Sequence, residues 1–201
     1  MLQAVPSFND KRDAKGGGRM KKKAGLWIML AAIFLAACQP KTFEEAMSTE
    51  VPFNVQKVIH KEKVKGGTVV LYLTEQEREA DNGAEKVQAV AAAYLQESKK
   101  AGWKNAGHNH WEYKQNDHMT VYPETFYQYD TEGNLKHKVP IVFGRILNND
   151  ITAVEAGKKD SFQPAKLIET EEGRFYFAAG EFELVRGLSA EGKAVSQQKN
   201  R

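Results

Sequence analysis

The sequence predicts a mainly β fold, an antiparallel meander or sandwich-like sheet with one short N-terminal helix. Short apolar or alternating runs recur along the chain from Val55 onward. Glycine, asparagine and aspartate cluster between these runs, as in the turns that separate neighbouring strands. Two runs, Val69 to Leu73 and Val139 to Phe143, are apolar at every position or nearly so. Strands of this kind are typically buried on both faces of a sheet.

The start of the chain differs in character, and we interpret it as a signal sequence. Three lysines at positions 21 to 23 precede an uncharged, mostly apolar run of fourteen residues, Ala24 to Ala37. A membrane span needs roughly 20 residues, whereas a basic region followed by a shorter apolar region is typical of a signal peptide. Residues 1–19 are polar and fit no such pattern. We therefore expect translation to start at Met20 and residues 1–19 to be misassigned upstream sequence.

The run Leu35-Ala36-Ala37-Cys38 at the end of this segment predicts a lipid attachment site. Cys38 is the only cysteine of the chain and follows small residues at the expected cleavage point. The order resembles the lipobox of bacterial lipoproteins. That resemblance implies cleavage before Cys38 and a diacylglyceryl thioether on its sulfur. It also implies a location on the outer face of the cytoplasmic membrane, where the protein would be held stably because two acyl chains anchor it. The alternative is an uncleaved signal anchor with an incidental thiol.

These segments divide the chain into a signal peptide (20–37), a lipidated N-terminus and spacer (38–54), a single β-rich extracytoplasmic domain (55–195) and a flexible tail (196–201). The whole sequence carries a net charge of +3. Seven of its 29 basic and two of its 26 acidic residues precede Cys38, so the mature chain has 22 basic and 24 acidic residues. A slightly acidic domain gives no reason to expect a nucleic-acid partner.

In the first half of the mature chain, the elements follow from capping and turn signals. Thr42 to Met47 predicts a short helix, because Thr42 and Glu45 have the spacing of a capping box. Val55 to Val64 and Thr68 to Thr74 predict two strands of a hairpin around Lys65-Gly66-Gly67. The charged segment Glu75 to Gly83 predicts a loop.

The segment Glu85 to Lys100 is ambiguous between helix and strand. Its alanines favour a helix by propensity, which would give an α+β fold with one helix around residues 85–98. Gly102-Trp103, however, is typical of the return of a hairpin. We therefore predict that Val87 to Glu97 pairs antiparallel with Trp103 to Tyr113, and that Trp103 is buried.

In the second half, predicted short strands and turns continue to alternate up to the final polar tail. Turn signals occur at Asp130 to Asn134, Asn148 to Asp150, Gly173 and Glu191 to Lys193. The apolar runs between and beside them predict short strands at Ile151 to Val154, Ala165 to Glu169, Arg174 to Ala178 and Phe182 to Arg186.

Several of these segments together resemble a group of small, uncharacterised lipoproteins of Gram-positive spore-forming bacteria. The resemblance rests on core and turn residues: Glu44-Glu45-Ala46, Val58 to Glu62, Val69 to Tyr72, Tyr94-Leu95, Gly102-Trp103-Lys104, Val139 to Gly144, Ala165 to Ile168, Arg174 to Phe177 and Gly187 to Lys193. It implies a β-rich fold in which Gly102-Trp103 returns a hairpin. It implies no catalytic activity, because none of these segments is a catalytic motif.

The best candidate for chemistry is the segment from His108 through His110 to Glu112. Residues two apart on a strand share a face, about 6 to 7 Å apart, so two imidazoles placed in this way can chelate one metal ion. A third ligand is needed, and the remaining histidines, His118, His60 and His137, are the candidates. The alternative is a solvated strand end. We therefore assign no metal or cofactor.

No Gly-x-Ser-x-Gly elbow or phosphate-binding glycine loop is present, so the sequence predicts no catalytic residue and no enzyme. The aromatic run Tyr122 to Tyr129 is interpreted as strand packing, with a binding surface for a peptide or glycan as the alternative. The sequence thus predicts a membrane-anchored envelope lipoprotein with a non-enzymatic binding or structural domain. Its partners would be the membrane, through Cys38, and an envelope protein, peptide or glycan. A His-based metal-binding lipoprotein is the alternative, and an enzyme with a site invisible in the sequence comes third.

Overall fold

The computed structural model describes residues 41–80, 83–110, 116–159 and 161–199. The described residues form one helix and twelve strands: α1 (Phe43–Thr49), β1 (Val55–Val64), β2 (Gly67–Ala80), β3 (Gly83–Ser98), β4 (Gly102–His108), β5 (Tyr122–Tyr129), β6 (Leu135–Ile146), β7 (Ala153–Lys158), β8 (Ser161–Pro164), β9 (Lys166–Thr170), β10 (Gly173–Ala179), β11 (Leu184–Leu188) and β12 (Ala194–Lys199). The mainly β prediction with one short N-terminal helix is confirmed. Within the described ranges, no helix is long and apolar enough to cross a bilayer.

The strands form three antiparallel sheets, which we call the first sheet (β1-β2-β3-β4), the middle sheet (β5-β6-β10-β9) and the third sheet (β12-β11-β7-β8). One core lies between the first and middle sheets, and a second lies between the middle and third sheets. A third core lies between α1 and the outer face of the first sheet. The middle sheet is therefore covered on both faces.

Strand β6 contributes side chains to two cores. Val139, Ile141 and Phe143 face the first sheet, whereas Val142 and Ile146 face the third sheet. Successive side chains of a strand point to opposite faces, so the nearly continuous apolar run that predicted a doubly buried strand supplies both cores at once.

The predicted hairpin around Gly102 is confirmed, with β3 and β4 antiparallel and Ser98 opposite Gly102. The alternative, a helix around residues 85–98, does not form. Ala91 and Ala93 are fully buried under α1, and Ala92 faces the middle sheet. Burial of both faces and ladder pairing on both edges therefore override the helix propensity of alanine.

Two details of that hairpin differ from the prediction. Trp103 is half-buried rather than buried, because it lies on edge strand β4 and packs edge-on against Phe43 of α1. Strand β4 ends at His108, although the backbone N–H of Asn109 still donates to the carbonyl of Ala92 at 3.0 Å. Residues 111–113 lie outside the described residues.

The prediction of a loop at Glu75 to Gly83 was wrong. Residues 75–80 of β2 pair with residues 83–88 of β3. This pairing extends past the first residue of β1 and the last residue of β4. The result is a two-stranded extension that we call the arm. The two cations in the described part of the arm are paired across the strands: Arg78 with Glu85, and Lys86 with Glu75 at 2.8 Å. Cross-strand pairs of opposite charge stabilise such ribbons, which loop-like composition alone does not reveal.

Two predicted boundaries also change. Residues 196–199, predicted as part of a flexible tail, belong to β12, which pairs with β11. Residues 41–54, predicted as a spacer, belong to the compact unit Pro40–Arg201, because Met47 and Val51 are buried against the first sheet.

Candidate functional site

Helix α1 is built by local signals that the sequence displays. The hydroxyl of Thr42 accepts from the N–H of Glu45 at 3.1 Å, and the Glu45 carboxylate accepts from the N–H of Thr42 at 2.8 Å. This is the predicted capping box. The helix has only seven residues, and isolated helices of that length are unstable in water. Its stability must therefore come from packing against the sheet.

The C-terminal end of α1 is attached to β4 by one carboxylate. Glu50 accepts from the backbone N–H of Asn105 at 2.7 Å and from Lys41 Nζ, and its own carbonyl accepts from Asn105 Nδ2 at 3.0 Å. The Lys41 hydrogen bond, followed by that of Asn105, holds the pKa of Glu50 below its usual value despite partial desolvation. Asn105 lies beside a register shift in the β3–β4 ladder, so its N–H is free to serve the helix.

Between α1 and β1 lies an open groove of about 440 Å³. Its apolar lining comes from the helix, the following loop and the strand: Phe43, Met47, Phe53, Val55 and Val58. Polar side chains complete the lining: Glu44, Ser48, Asn54, Gln56, Lys57 and Lys61. An apolar concavity of this size with a few polar groups is typical of ligand sites.

The charge along the β1 wall of the groove is positive. Lys61 Nζ lies 3.4 Å from the centroid of the Phe43 ring, a cation–π arrangement. Within the described residues Lys61 has no ion pair, whereas Lys57 pairs with Glu172. Among the described residues, the groove therefore presents an apolar floor beside one ammonium group, that of Lys61, which has no ion pair with a carboxylate.

The free edge of β1 does not favour addition of another strand. Two register shifts interrupt the β1–β2 ladder, between Val55 and Lys57 and between Val58 and His60. Bulges and lysines are devices that protect sheet edges from pairing. A ligand at this site would therefore enter the groove with its side groups rather than extend the sheet.

His108 and His110 lie close together, as the sequence predicted. Their ring centroids are 6.3 Å apart and the rings are edge-on. His108 Nδ1 accepts a hydrogen bond from Asn105 Nδ2 at 3.1 Å. Burial, followed by the nearby His110, lowers the pKa of His108, so the ring is neutral at pH 7.

The other predicted ligands are not brought to this pair. His60 contacts Glu62 at 2.8 Å, His137 donates to the carbonyl of Lys65 at 2.9 Å, and His118 accepts from Asn148 at 3.0 Å. In the described part of the chain, no three histidine, cysteine or carboxylate side chains cluster with the geometry of a metal site. Glu112 lies outside the described residues.

The aromatic run of β5 is divided between core and surface. Tyr122 and Phe126 are buried in the core between the first and middle sheets. Tyr127 and Tyr129 point the other way and are 44% and 56% exposed. The packing interpretation is therefore confirmed for Tyr122 and Phe126, whereas a binding surface at Tyr127 and Tyr129 stays a prediction.

The groove is the feature that sequence reasoning missed, because its helix wall was assigned to a spacer. The signal that identifies it is the apolar spacing of Phe43 and Met47, which are four residues apart and so lie on one face of the helix. Cys38 lies outside the described residues. Comparison with protein-family models, curated proteins and solved structures finds no match.

Proposed function

We propose that this chain is a lipoprotein held on the outer face of the cytoplasmic membrane through Cys38. We further propose that its β domain is a non-enzymatic binding module, whose ligand site is the groove between α1 and β1. The ligand is a peptide or glycan that carries an apolar group for the groove and an anionic group for Lys61. The groove is the observation that supports binding, and the Leu35-Ala36-Ala37-Cys38 run supports the anchor.

The anchor is tested with Cys38→Ala. The variant is expected to leave the membrane fraction or to persist as uncleaved precursor, because the sulfur that would carry the acyl chains is absent. Fractionation and mass spectrometry of the mature N-terminus measure this. Unchanged processing and membrane retention would contradict lipidation at Cys38.

The groove is tested with a photo-crosslinking amino acid at one of two adjacent positions. Ser48 lines the groove, whereas Thr49 is exposed on the same helix outside it. Their hydroxyls donate to the same carbonyl, that of Glu45, at 3.1 and 2.7 Å, so the two substitutions perturb α1 alike. In living cells the adduct is expected at position 48 and not at 49, and it should weaken with Lys61→Met.

Adducts at both positions, or at neither, would contradict the assignment of the groove. The same adducts identify the ligand by mass, which separates a peptide from a glycan. The outcome is independent of the fate of Cys38→Ala, so the anchor and the groove can fail separately.

A further inference from the structure

Three hairpin turns lie at the same end of the sandwich made by the first and middle sheets. The carbonyl of Lys65, in the β1–β2 turn, accepts from Tyr94 of β3 at 3.0 Å and from His137 of β6 at 2.9 Å. This joins the β1–β2 turn to the strands that carry the β3–β4 turn and the β5–β6 turn. We call the ends of these three hairpins the proximal end.

The chain enters the domain at the proximal end. Lys41 forms a parallel bridge with Gly102 of the β3–β4 turn: its N–H donates to the carbonyl of Ala101 at 3.2 Å, and its carbonyl accepts from the N–H of Trp103 at 3.0 Å. Cys38 is three residues earlier, and three residues span at most about 11 Å. A lipid on Cys38 would therefore hold the proximal end against the bilayer surface.

The proximal end has an excess of positive charge. Across residues 63–66, 97–102 and 129–138 there are six lysines (Lys63, Lys65, Lys99, Lys100, Lys136 and Lys138) and three acidic residues (Glu97, Asp130 and Glu132). All six lysines are exposed, and none has an ion pair within the described residues. Lysines next to an anionic leaflet are attracted to it.

The same end carries exposed apolar and aromatic side chains. Tyr129 and Leu135 pair across the β5–β6 hairpin, and Leu135 is 47% exposed. Tyr127, on the same face of β5, has Lys138 Nζ 5.8 Å from its ring centroid. Tyrosine with lysine beside it is the combination found where proteins meet the bilayer interface.

The opposite end has the opposite charge. In the described part of the arm, Glu75, Glu77, Glu79 and Glu85 outnumber Arg78 and Lys86, and the two cations are paired with Glu85 and Glu75. From Gly83 to Ser98, β3 has 16 residues, or about 50 Å at 3.3 Å per residue. The acidic arm is thus far from the proximal end.

We propose that the proximal end docks on the anionic phospholipid surface, so that the domain stands on the membrane with its acidic arm directed outward. The six lysines contact lipid phosphates, and Tyr127, Tyr129 and Leu135 lie in the headgroup region. The inference rests on the proposed lipidation of Cys38, which brings this end within reach of the bilayer. It leaves the α1–β1 groove on the side of the standing domain, open to ligands.

The test uses the lipidated protein in vesicles of phosphatidylcholine with phosphatidylglycerol. Cys38 is the only native cysteine and its sulfur is blocked by the lipid, so one introduced cysteine is the only free thiol. Glu132→Cys in the β5–β6 turn and Glu79→Cys in the arm form a matched pair, since both replace an exposed glutamate. Each is labelled with a fluorophore, and quenching by lipids spin-labelled near the headgroup is measured.

The label at 132 is expected to be quenched severalfold more than the label at 79. Quenching at 132 is expected to fall without phosphatidylglycerol, at high salt and with Lys100→Glu. Lys193→Glu is the control, because Lys193 is also an exposed turn lysine. Its turn follows Leu188, which pairs with Ala153, the first residue of β7. Strand β7 follows Ile146, at the end of β6 that is far from the β5–β6 turn and hence from the proximal end.

Equal quenching at 132 and 79 would overturn the orientation, and quenching at 132 that ignores lipid charge, salt and Lys100→Glu would overturn docking through the lysines. Mass spectrometry of the Cys38 peptide is recorded on the same sample. Absence of the lipid there means that the anchor itself has failed. A lipidated Cys38 with no quenching at 132 means that only the docking has failed.

Discussion

At the scale of single residues, two buried tyrosines differ in the hydrogen bonding of their hydroxyls. Tyr176 is fully buried, and its hydroxyl donates to the carbonyl of Thr120 at 2.8 Å. That carbonyl can lie there only because Gly144, opposite Tyr176, has no Cβ; a Cβ at this position would be 1.9 Å from the Thr120 oxygen. Tyr72 is equally buried under α1, but its hydroxyl has no partner within the described residues.

Removing the two hydroxyls should therefore have different effects on the free energy of unfolding. Tyr176→Phe is expected to lower it by about 1 to 2 kcal/mol, because the Thr120 carbonyl loses its donor. Tyr72→Phe is expected to leave it unchanged or raise it by up to about 1 kcal/mol, because burial of an unpartnered hydroxyl is a cost that disappears. Urea unfolding of the two variants measures both values, and equal destabilisation by the two would show that the Tyr72 hydroxyl has a partner.

At the scale of elements, the sequence predicts most of the caps and turns that interactions between neighbouring residues determine. The capping box at Thr42, the turn at Gly173 and the hairpin return at Gly102 are confirmed, because each depends on side chains within a few residues. The arm was not predicted, since the charged composition of residues 75–80 is that of a loop. The docking of α1 was not predicted either, because the attachment of Glu50 to Asn105 joins residues 55 positions apart.

The attachment of α1 should weaken in acid. The pKa of Glu50 is lowered in the folded state, chiefly by Lys41 and then by Asn105. A lowered carboxyl pKa contributes stability above the unfolded value, here about 4.5, and that stability is lost as the pH falls through the folded pKa. We therefore expect the amide of Asn105 to exchange hydrogen faster as the pH falls below about 4.5, after correction for intrinsic exchange.

Glu50→Gln should remove this pH dependence and give fast exchange of the Asn105 amide at neutral pH as well. Glu44→Gln is the control, because Glu44 is an exposed carboxylate of the same helix and does not contact Asn105. Exchange that responds to pH equally in all three proteins would contradict the role of Glu50.

At the scale of the whole molecule, the unpredicted feature is the stacking of three sheets. The doubly apolar run Val139 to Phe143 predicted a strand buried on both faces, and β6 is that strand. The sequence could not show what covers its second face, because the third sheet includes polar edge strands. Strand β12, with Ser196, Gln197 and Gln198, has the composition of a tail, and it is held by its ladder to β11 and by Gln198 Nε2, which donates to the carbonyl of Met119 at 2.6 Å.

Truncation of the chain tests whether β12 completes the fold. Ending the chain after Val195 removes most of the ladder to β11 and leaves the buried Met119 carbonyl without its donor. Lost ladder bonds and an unsatisfied buried acceptor are each costly, so we expect a loss of several kcal/mol in the free energy of unfolding. Since the second core is shared with the middle sheet, one cooperative transition at lower denaturant is expected, measured by far-ultraviolet circular dichroism in urea. Ending the chain after Lys199 retains all of β12 and should leave the midpoint unchanged; if both truncations leave it unchanged, residues 196–199 are the flexible tail that their composition suggests.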